Sequence, residues 1–232
     1  MYMSFEILTR QPIKFYEKNG IKVFDKFNAV DNCKNLLNVS FDPTDTTIYA
    51  KDLKKNLSAY TLNFNIPKRE MVGVTLVAEP PKKGIGEVLT LSALMEFVQN
   101  NLNYFKTFSL KESIQFHARF GFNLVTNDVD EILHHLKMVL KSRSPKYENL
   151  RYDANFYYPK LSGKVKNDDE FINSRACHVA SKYLQELSKD RVKIDPSNFR
   201  YSSHMLFTDY ETLTNKDYLN TLLDKHEINY KF

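Results

Sequence analysis

The fold is decided by residues 71–87, which read MVGVTLVAEPPKKGIGE. The first eight residues are nearly all apolar and predict a β-strand with both faces covered. Two prolines then forbid a helix, and two glycines permit an unusual backbone path. A helix follows from residue 88 to about residue 100, with apolar residues on most sides, as is typical of a central helix. The stretch therefore predicts a strand, a turn and a buried helix in succession.

The flanking segments extend this unit into a sheet. Residues 60–66 alternate between apolar and polar, and a short turn joins them to residue 71, so they predict an antiparallel partner strand. After the helix, residues 104–108 predict a third strand, and residues 111–119 predict a short helix that Gly121 ends. Nearer the amino terminus, the sequence predicts a strand at residues 5–8, a turn at Gly20 and a short helix at residues 52–58.

The second half of the chain is mostly helical in pattern. It predicts helices at about residues 128–141, 168–189 and 215–226, and a closing strand at residues 228–232. Residues 147–166 are polar and rich in tyrosine, which favours a linker. We therefore predict an α/β fold with a mixed, mainly antiparallel sheet flanked by helices over residues 1–145. Residues 146–232 are predicted to form a mostly helical C-terminal extension.

Composition excludes several classes of protein. The 232 residues are 42% hydrophobic and 26% charged, which is ordinary for a globular protein. No apolar run approaches the ~20 residues that span a bilayer, and no secretory signal is visible, so we expect a cytoplasmic protein with no membrane partner. The net charge of +5 is spread along the chain, which argues against nucleic-acid binding.

Cysteine and histidine give no metal site. The two cysteines, Cys33 and Cys177, cannot form a zinc site of paired CxxC motifs, and we expect both to be buried reduced thiols. The neighbouring His134 and His135 point about 100° apart on a helix, so they cannot easily share one ion. We therefore predict no metal cofactor.

The two glycines of the turn indicate an anion site. Gly84 and Gly86 precede the helix, where free backbone amides and the helix dipole favour a phosphate or pyrophosphate. Lys82 and Lys83 add positive charge. The spacing departs from the dinucleotide-binding fingerprint, because Thr90 takes the place of its third glycine, and no Gly-Lys-Ser/Thr of a P-loop follows. An ordinary tight turn from strand to helix stays open as the alternative.

As a whole, residues 60–122 resemble the acyl-CoA-binding core of the GNAT-type N-acyltransferase superfamily. The matching pieces are the strand at 71–78, the turn at 82–86, the helix at 88–100, the strand at 104–108 and the run FHARFGF at 116–122. The resemblance implies a fold in which the glycine-containing turn binds the pyrophosphate of coenzyme A, while the pantetheine arm enters a gap beside the central strand. It thus implies acetyl-CoA as co-substrate and a cofactor site made of Val77, Lys82, Lys83, Gly84, Ile85, Gly86 and Glu87.

Two catalytic residues follow from the same resemblance. Glu79, at the end of the central strand, takes the place of a carboxylate that deprotonates the attacking amine. His117 stands where the family often has a tyrosine near the thioester sulfur, and a histidine could protonate the departing thiolate. Pro81 departs from the family pattern, because a Gln or Arg is usual three residues before the first glycine.

The resemblance implies direct transfer of an acetyl group to an amine whose identity the sequence does not give. The departures at Pro81 and His117 motivate an alternative, in which the protein is a non-catalytic module of the same fold that binds a protein or senses coenzyme A. Glu79 could equally be a solvated residue at a strand end, and His117 could simply pack on its helix.

Overall fold

The computed structural model describes residues 11–54, 56–125, 136, 175–199 and 202–232. The chain forms two compact units. The first unit joins Met1–Lys106 to Thr208–Phe232, and the second is Thr107–Phe207. The predicted fold class, a mainly antiparallel sheet with flanking helices, is confirmed. The predicted boundary at residue 145 lies outside the described residues.

The first unit begins with an antiparallel hairpin and continues as a meander of five strands. Asn19 and Gly20, both with positive φ, make the hairpin turn, where Gly20 was predicted to turn the chain. Each later strand pairs antiparallel with the next. The strands are β1 (Phe15–Lys18), β2 (Ile21–Phe24), β3 (Lys26–Val30), β4 (Leu36–Asp42), β5 (Thr47–Asp52), β6 (Leu57–Asn65) and β7 (Glu70–Val77).

The short helix expected at residues 52–58 is wrong. Asp52 ends β5, and its carboxylate accepts hydrogen bonds from the backbone and side-chain nitrogens of Asn56, both at 2.8 Å. This local bonding closes a turn instead of a helix, because an aspartate side chain competes for the backbone amides that a helix would use. β6 then starts at Leu57, three residues before the predicted strand.

Helix α1 (Ile85–Gln99) forms the centre of the first unit, as predicted. Every residue from Leu89 to Phe97 is buried. The helix packs against β2, β5, β6 and β7. On the sheet, the side chains of Ile48, Ala50, Tyr60, Leu62 and Met71 are buried as well. Each buried aliphatic side chain contributes about 1.5–3 kcal/mol.

Strand β7 does not bury both of its faces, so that expectation is wrong. Met71 and Gly73 are buried, whereas Val74 and Val77 are 60% and 46% exposed. Valine is favoured in strands for its branched shape as well as for burial, so an apolar run overstates how much of a strand is covered.

A β-bulge interrupts the pairing of β6 and β7. Thr61 lies opposite Thr75 and Leu62 opposite Gly73, so Val74 is an extra residue in β7. A bulge bends its strand and increases its twist. Gly73 is needed at this point, because a Cβ there would lie 2.2 Å from the hydroxyl of Tyr60.

The second unit has its own strands and helices. Strand β8 (Tyr104–Ser109) starts in the first unit and ends in the second. A 3-10 turn (Lys111–Ser113) leads to helix α2 (Ile114–Phe120), and Gly121 in the left-handed region ends that helix. The remaining elements are β9 (Asn123–Val125), helix α3 (Arg175–Lys189) and β10 (Ser203–Thr208), which pairs antiparallel with β9.

Several predictions for the second half fall outside the described residues. They include the linker at 147–166, the start of the helix at 168–189 and the helix at 128–141, of which Leu136 alone is described, as helical and buried. Cys177 is buried, as expected, but Cys33 is exposed, because it lies in the loop after β3 and not in the core.

Two helices complete the first unit. Helix α4 (Asp209–Thr214) begins with a capping box of Thr208 and Glu211, and α5 (Lys216–Lys225) matches the helix predicted at 215–226. The strand predicted at 228–232 is wrong. That segment has no regular structure, because its aromatic rings pack against other rings. The ring centroid of Tyr230 lies 6.0 Å from that of Phe15 and 5.2 Å from that of Phe232. Among the described helices, none is long and apolar enough to cross a membrane.

Candidate functional site

The candidate site is the turn between β7 and α1. We call residues 82–86 the glycine turn. Lys82 has a φ of 63° and Gly84 a φ of 84°, so the chain reverses twice through the left-handed region before the helix. Gly84 caps the helix, which starts at Ile85, three residues earlier than predicted. Both predicted glycines therefore lie at the very start of α1.

The glycine turn rests against the loop that follows β3. The backbone amide of Asn32 donates to the carbonyl oxygen of Lys83 at 2.7 Å. A Cβ at Gly84 would lie 2.6 Å from the side-chain carbonyl group of Asn32. Gly84 is thus required both by its positive φ and by the close approach of Asn32.

The first amides of α1 give the turn its capacity for anions. Glu87 and Val88 donate their backbone hydrogens to the carbonyl of Gly84, at 3.0 and 3.2 Å. Helix geometry leaves the amides of Ile85 and Gly86 without an acceptor in the helix, at the positive end of its dipole. The Ile85 side chain is buried, while Lys82 is exposed and Lys83 half-buried. Backbone donors and two lysines therefore belong to one turn, where Lys82 is exposed and the ammonium group of Lys83 lies 3.4 Å from the Sγ of Cys33.

Glu87 faces inward from the same helix turn. Its side chain is 8% exposed, and its carboxylate oxygen Oε2 accepts from Lys225 Nζ at 2.7 Å and contacts His226 Nε2 at 2.9 Å. His226 is fully buried, and its Nδ1 lies 2.7 Å from the carbonyl oxygen of Val30. The predicted ligand residue Glu87 thus bonds to α5 and the residue after it.

The end of β7 presents Glu79 and Val77 to solvent. Ser58 fixes the backbone of Glu79, because its hydroxyl accepts from the Glu79 amide at 2.8 Å and donates to the Glu79 carbonyl at 3.1 Å. The Glu79 side chain is exposed, and Val77 pairs with Ala59 across the sheet. The structure thus leaves the carboxylate of Glu79 accessible just after the end of β7, five residues before the first glycine of the turn.

His117 lies in the second unit, on helix α2. Burial lowers the pKa of its imidazole to about 4, so the ring is neutral at pH 7. It packs against the rings of Phe116 and Phe122, and its Nδ1 has no hydrogen-bond partner among the described residues. The predicted acid role needs a protonated imidazole, which this environment disfavours.

Sequence reasoning missed Asn32, Lys225 and His226. They touch the glycine turn or Glu87, but they lie 50 or more residues away along the chain, and no local pattern marks them. Within the described part of the chain, no group of three or more His, Cys, Asp or Glu side chains could hold a metal ion.

No protein-family model and no curated protein matches the chain. Among solved structures, a nourseothricin acetyltransferase is similar, at 15% sequence identity and a TM-score of 0.33. The similarity covers 49% of this chain and 83% of that protein. At this level of similarity, function has to be inferred from the residues of this chain.

Proposed function

We propose that the protein is an acyl-CoA-dependent N-acyltransferase, most simply one that transfers an acetyl group from acetyl-CoA to an amine. The observation that carries this proposal is the glycine turn at the start of α1, which follows a bulged strand, with the exposed carboxylate of Glu79 between the strand and the turn. The turn supplies the donors that a pyrophosphate needs, and the strand end supplies a base within the same unit.

In the proposed complex, the glycine turn holds the pyrophosphate of coenzyme A. The amides of Ile85 and Gly86 donate to it, and Lys82 and Lys83 offset its charge. Hydrogen bonds to a charged group contribute about 1.5–3 kcal/mol each, so two amides supply about 3–6 kcal/mol of the roughly 8 kcal/mol that micromolar binding requires, and contacts to the rest of the ligand supply the remainder. Val77, exposed at the end of β7, contacts the arm that carries the acyl group.

The proposed reaction is direct attack by a neutral amine on the thioester. Glu79 takes a proton from the amine, because an ammonium group has no lone pair with which to attack. The C–N bond forms and the C–S bond breaks. The nitrogen then loses a second proton, which passes by way of solvent to the departing thiolate, while Glu79 releases the first proton to solvent. The products are an amide and free coenzyme A. Since His117 is neutral and lies in the other unit, the proposal uses residues of the first unit alone.

A second candidate is a coenzyme A-binding module without catalysis, and the neutral, buried His117 favours it. The test is release of free thiol from acetyl-CoA in the presence of a panel of amines, with binding measured in parallel by calorimetry. An enzyme predicts thiol release that falls at least tenfold in Glu79→Gln while binding persists. Tight binding with no thiol release from any amine would favour the binding module.

A further inference from the structure

A cluster of one acidic and two basic side chains lies behind the glycine turn, with the acid and the imidazole buried and the lysine one-third exposed. It consists of Glu87, Lys225 and His226, which we call the Glu87 cluster. Glu87 occupies the third position of α1, and the two basic side chains lie at the end of α5 and immediately after it. The cluster therefore joins the start of one helix to the end of another, 138 residues later in the chain.

His226 is held on both sides. Its carbonyl oxygen accepts from the Val30 amide at 2.9 Å, while its ring Nδ1 bonds to the Val30 carbonyl at 2.7 Å. A carbonyl oxygen can only accept, so Nδ1 carries a proton. On the other side of the ring, Nε2 lies 2.9 Å from the carboxylate of Glu87. The imidazole is thus fixed in both position and orientation.

The same residues connect to the loop on the other side of the glycine turn. Lys34, in the loop after β3, donates to the carbonyl oxygen of Lys225 at 3.1 Å and to the Glu227 carboxylate at 2.9 Å. Asn32, in that loop, contacts Gly84. The turn is therefore held from one side by Asn32 and from the other by Glu87, and both supports meet at the end of α5.

The charge of Glu87 alone would oppose an anionic ligand. A carboxylate in the first turn stabilises the helix dipole but repels a second anion at the same helix end. The ammonium group of Lys225, 2.7 Å from the carboxylate, offsets that charge, so Glu87 can hold the start of α1 while repelling an anionic ligand less. A residue that bound phosphate directly would need to face outward, and Glu87 does not.

We propose that Glu87, Lys225 and His226 act as positioning residues that set the anion affinity of the glycine turn, so that the end of α5 controls cofactor binding. This inference rests on the proposed function. None of the three residues touches the ligand. They act by holding the first turn of α1 in place, and with it the backbone amides of Ile85 and Gly86.

Two explanations of the role of Glu87 predict opposite changes in the affinity for coenzyme A when the residue is replaced by glutamine. If Glu87 mattered only through its charge, Glu87→Gln would remove a negative charge from the helix start and tighten the binding of coenzyme A. If Glu87 positions the turn, Glu87→Gln weakens binding, because the neutral amide no longer pairs with Lys225. We expect the dissociation constant for coenzyme A to rise about five- to tenfold in Glu87→Gln and in Lys225→Met. Lys225→Arg keeps the ion pair, so its dissociation constant for coenzyme A should stay close to that of wild type.

The matched control is Lys231→Met. Lys231 pairs with Asp224 at 2.7 Å, but both side chains are more than 60% exposed. This change removes the same charge from the same end of the chain and should leave the dissociation constant within twofold of wild type. Equal or tighter binding in Glu87→Gln, or equal losses in Lys225→Met and Lys231→Met, would overturn the proposal. All values are taken at a temperature at which circular dichroism shows every variant folded.

A second readout separates this inference from the proposed function. If wild type does not bind coenzyme A, the proposed function fails, and hydrogen exchange in the free protein still tests the positioning. Amides of residues 84–88 should exchange faster in Glu87→Gln than in wild type, while those of residues 95–99 keep their rates. Unchanged exchange at residues 84–88 would overturn the positioning role.

Discussion

Glu96→Gln should make the protein more stable, and by an amount that grows with pH. Glu96 lies in the middle of α1 with its side chain fully buried. One carboxyl oxygen accepts from the Phe24 amide at 2.9 Å, and the other has no hydrogen-bond partner among the described residues. Burial raises the pKa of this carboxyl from its ordinary value of 4.5 to about 8. The folded protein therefore holds a proton that the unfolded chain has already released at pH 7.

The magnitude follows from linkage. Since the folded-state pKa is the higher one, the protonated carboxyl contributes fully below pH 4.5, and stability falls by about 1.4 kcal/mol per pH unit between pH 4.5 and pH 8. At pH 7 the free energy of unfolding is lower by about 3 kcal/mol than it is at pH 4.5, from this group alone. Glutamine has nearly the same shape and no such proton, so Glu96→Gln should lack this loss.

The assay is urea unfolding of both proteins at pH 5, 6, 7 and 8, with Glu17→Gln as the matched control. Glu17 is exposed on β1, so its substitution should leave the pH dependence unchanged. The difference between Glu96→Gln and wild type should be small at pH 5 and about 3 kcal/mol at pH 7. A difference that stays constant from pH 5 to pH 8 would refute the reasoning, because it would show that Glu96 does not keep its proton in the folded state.

Two further predictions concern stability. Gly73→Ala places a methyl group 2.2 Å from the Tyr60 hydroxyl, whereas a Cβ at Gly20, which has a positive φ, meets nothing within 4 Å. Gly73→Ala should therefore lower the free energy of unfolding by about 1–3 kcal/mol more than Gly20→Ala does, as measured by chemical unfolding. Equal losses in the two variants would contradict the packing argument. His117→Phe should reduce the loss of stability that wild type shows as the pH falls below 6.5. The pKa of His117 is lowered to about 4, so wild type loses stability as pH falls from 6.5 towards 4, by about 3 kcal/mol from this ring, and an equal loss in the variant would contradict its burial as a neutral group.

The sequence alone predicts those helices and strands whose signals lie within a few residues of one another. Strands β6 and β7, helix α1, strand β8 and helix α2 were each placed to within about three residues, because alternation, proline and glycine act on the chain within a few residues. The helix expected at residues 52–58 failed where the side chain of Asp52 competed for the backbone. The strand expected at residues 228–232 failed where ring packing replaced backbone pairing.

The site divides in the same way. Gly84, Gly86 and the two lysines could be found from their position between a strand and a helix. The inward orientation of Glu87 could not be found, because it depends on Lys225 and His226, which only the folded chain brings near. The neutral state of His117 was also out of reach, since its pKa is set by burial and a short sequence pattern does not give burial.

The central claim, that the glycine turn binds acyl-CoA, is tested most directly by thermal unfolding with and without acetyl-CoA, in wild type and in Gly86→Val. Gly86 lies inside the first turn of α1, so a side chain there blocks approach to the backbone without needing a positive φ. Ligand at about 100 times its dissociation constant adds about 2.7 kcal/mol, which for a chain of this size raises Tm by about 5–10 °C. We predict this rise in wild type and its loss in folded Gly86→Val. No rise in wild type at saturating acetyl-CoA, or an equal rise in both proteins, would contradict the account.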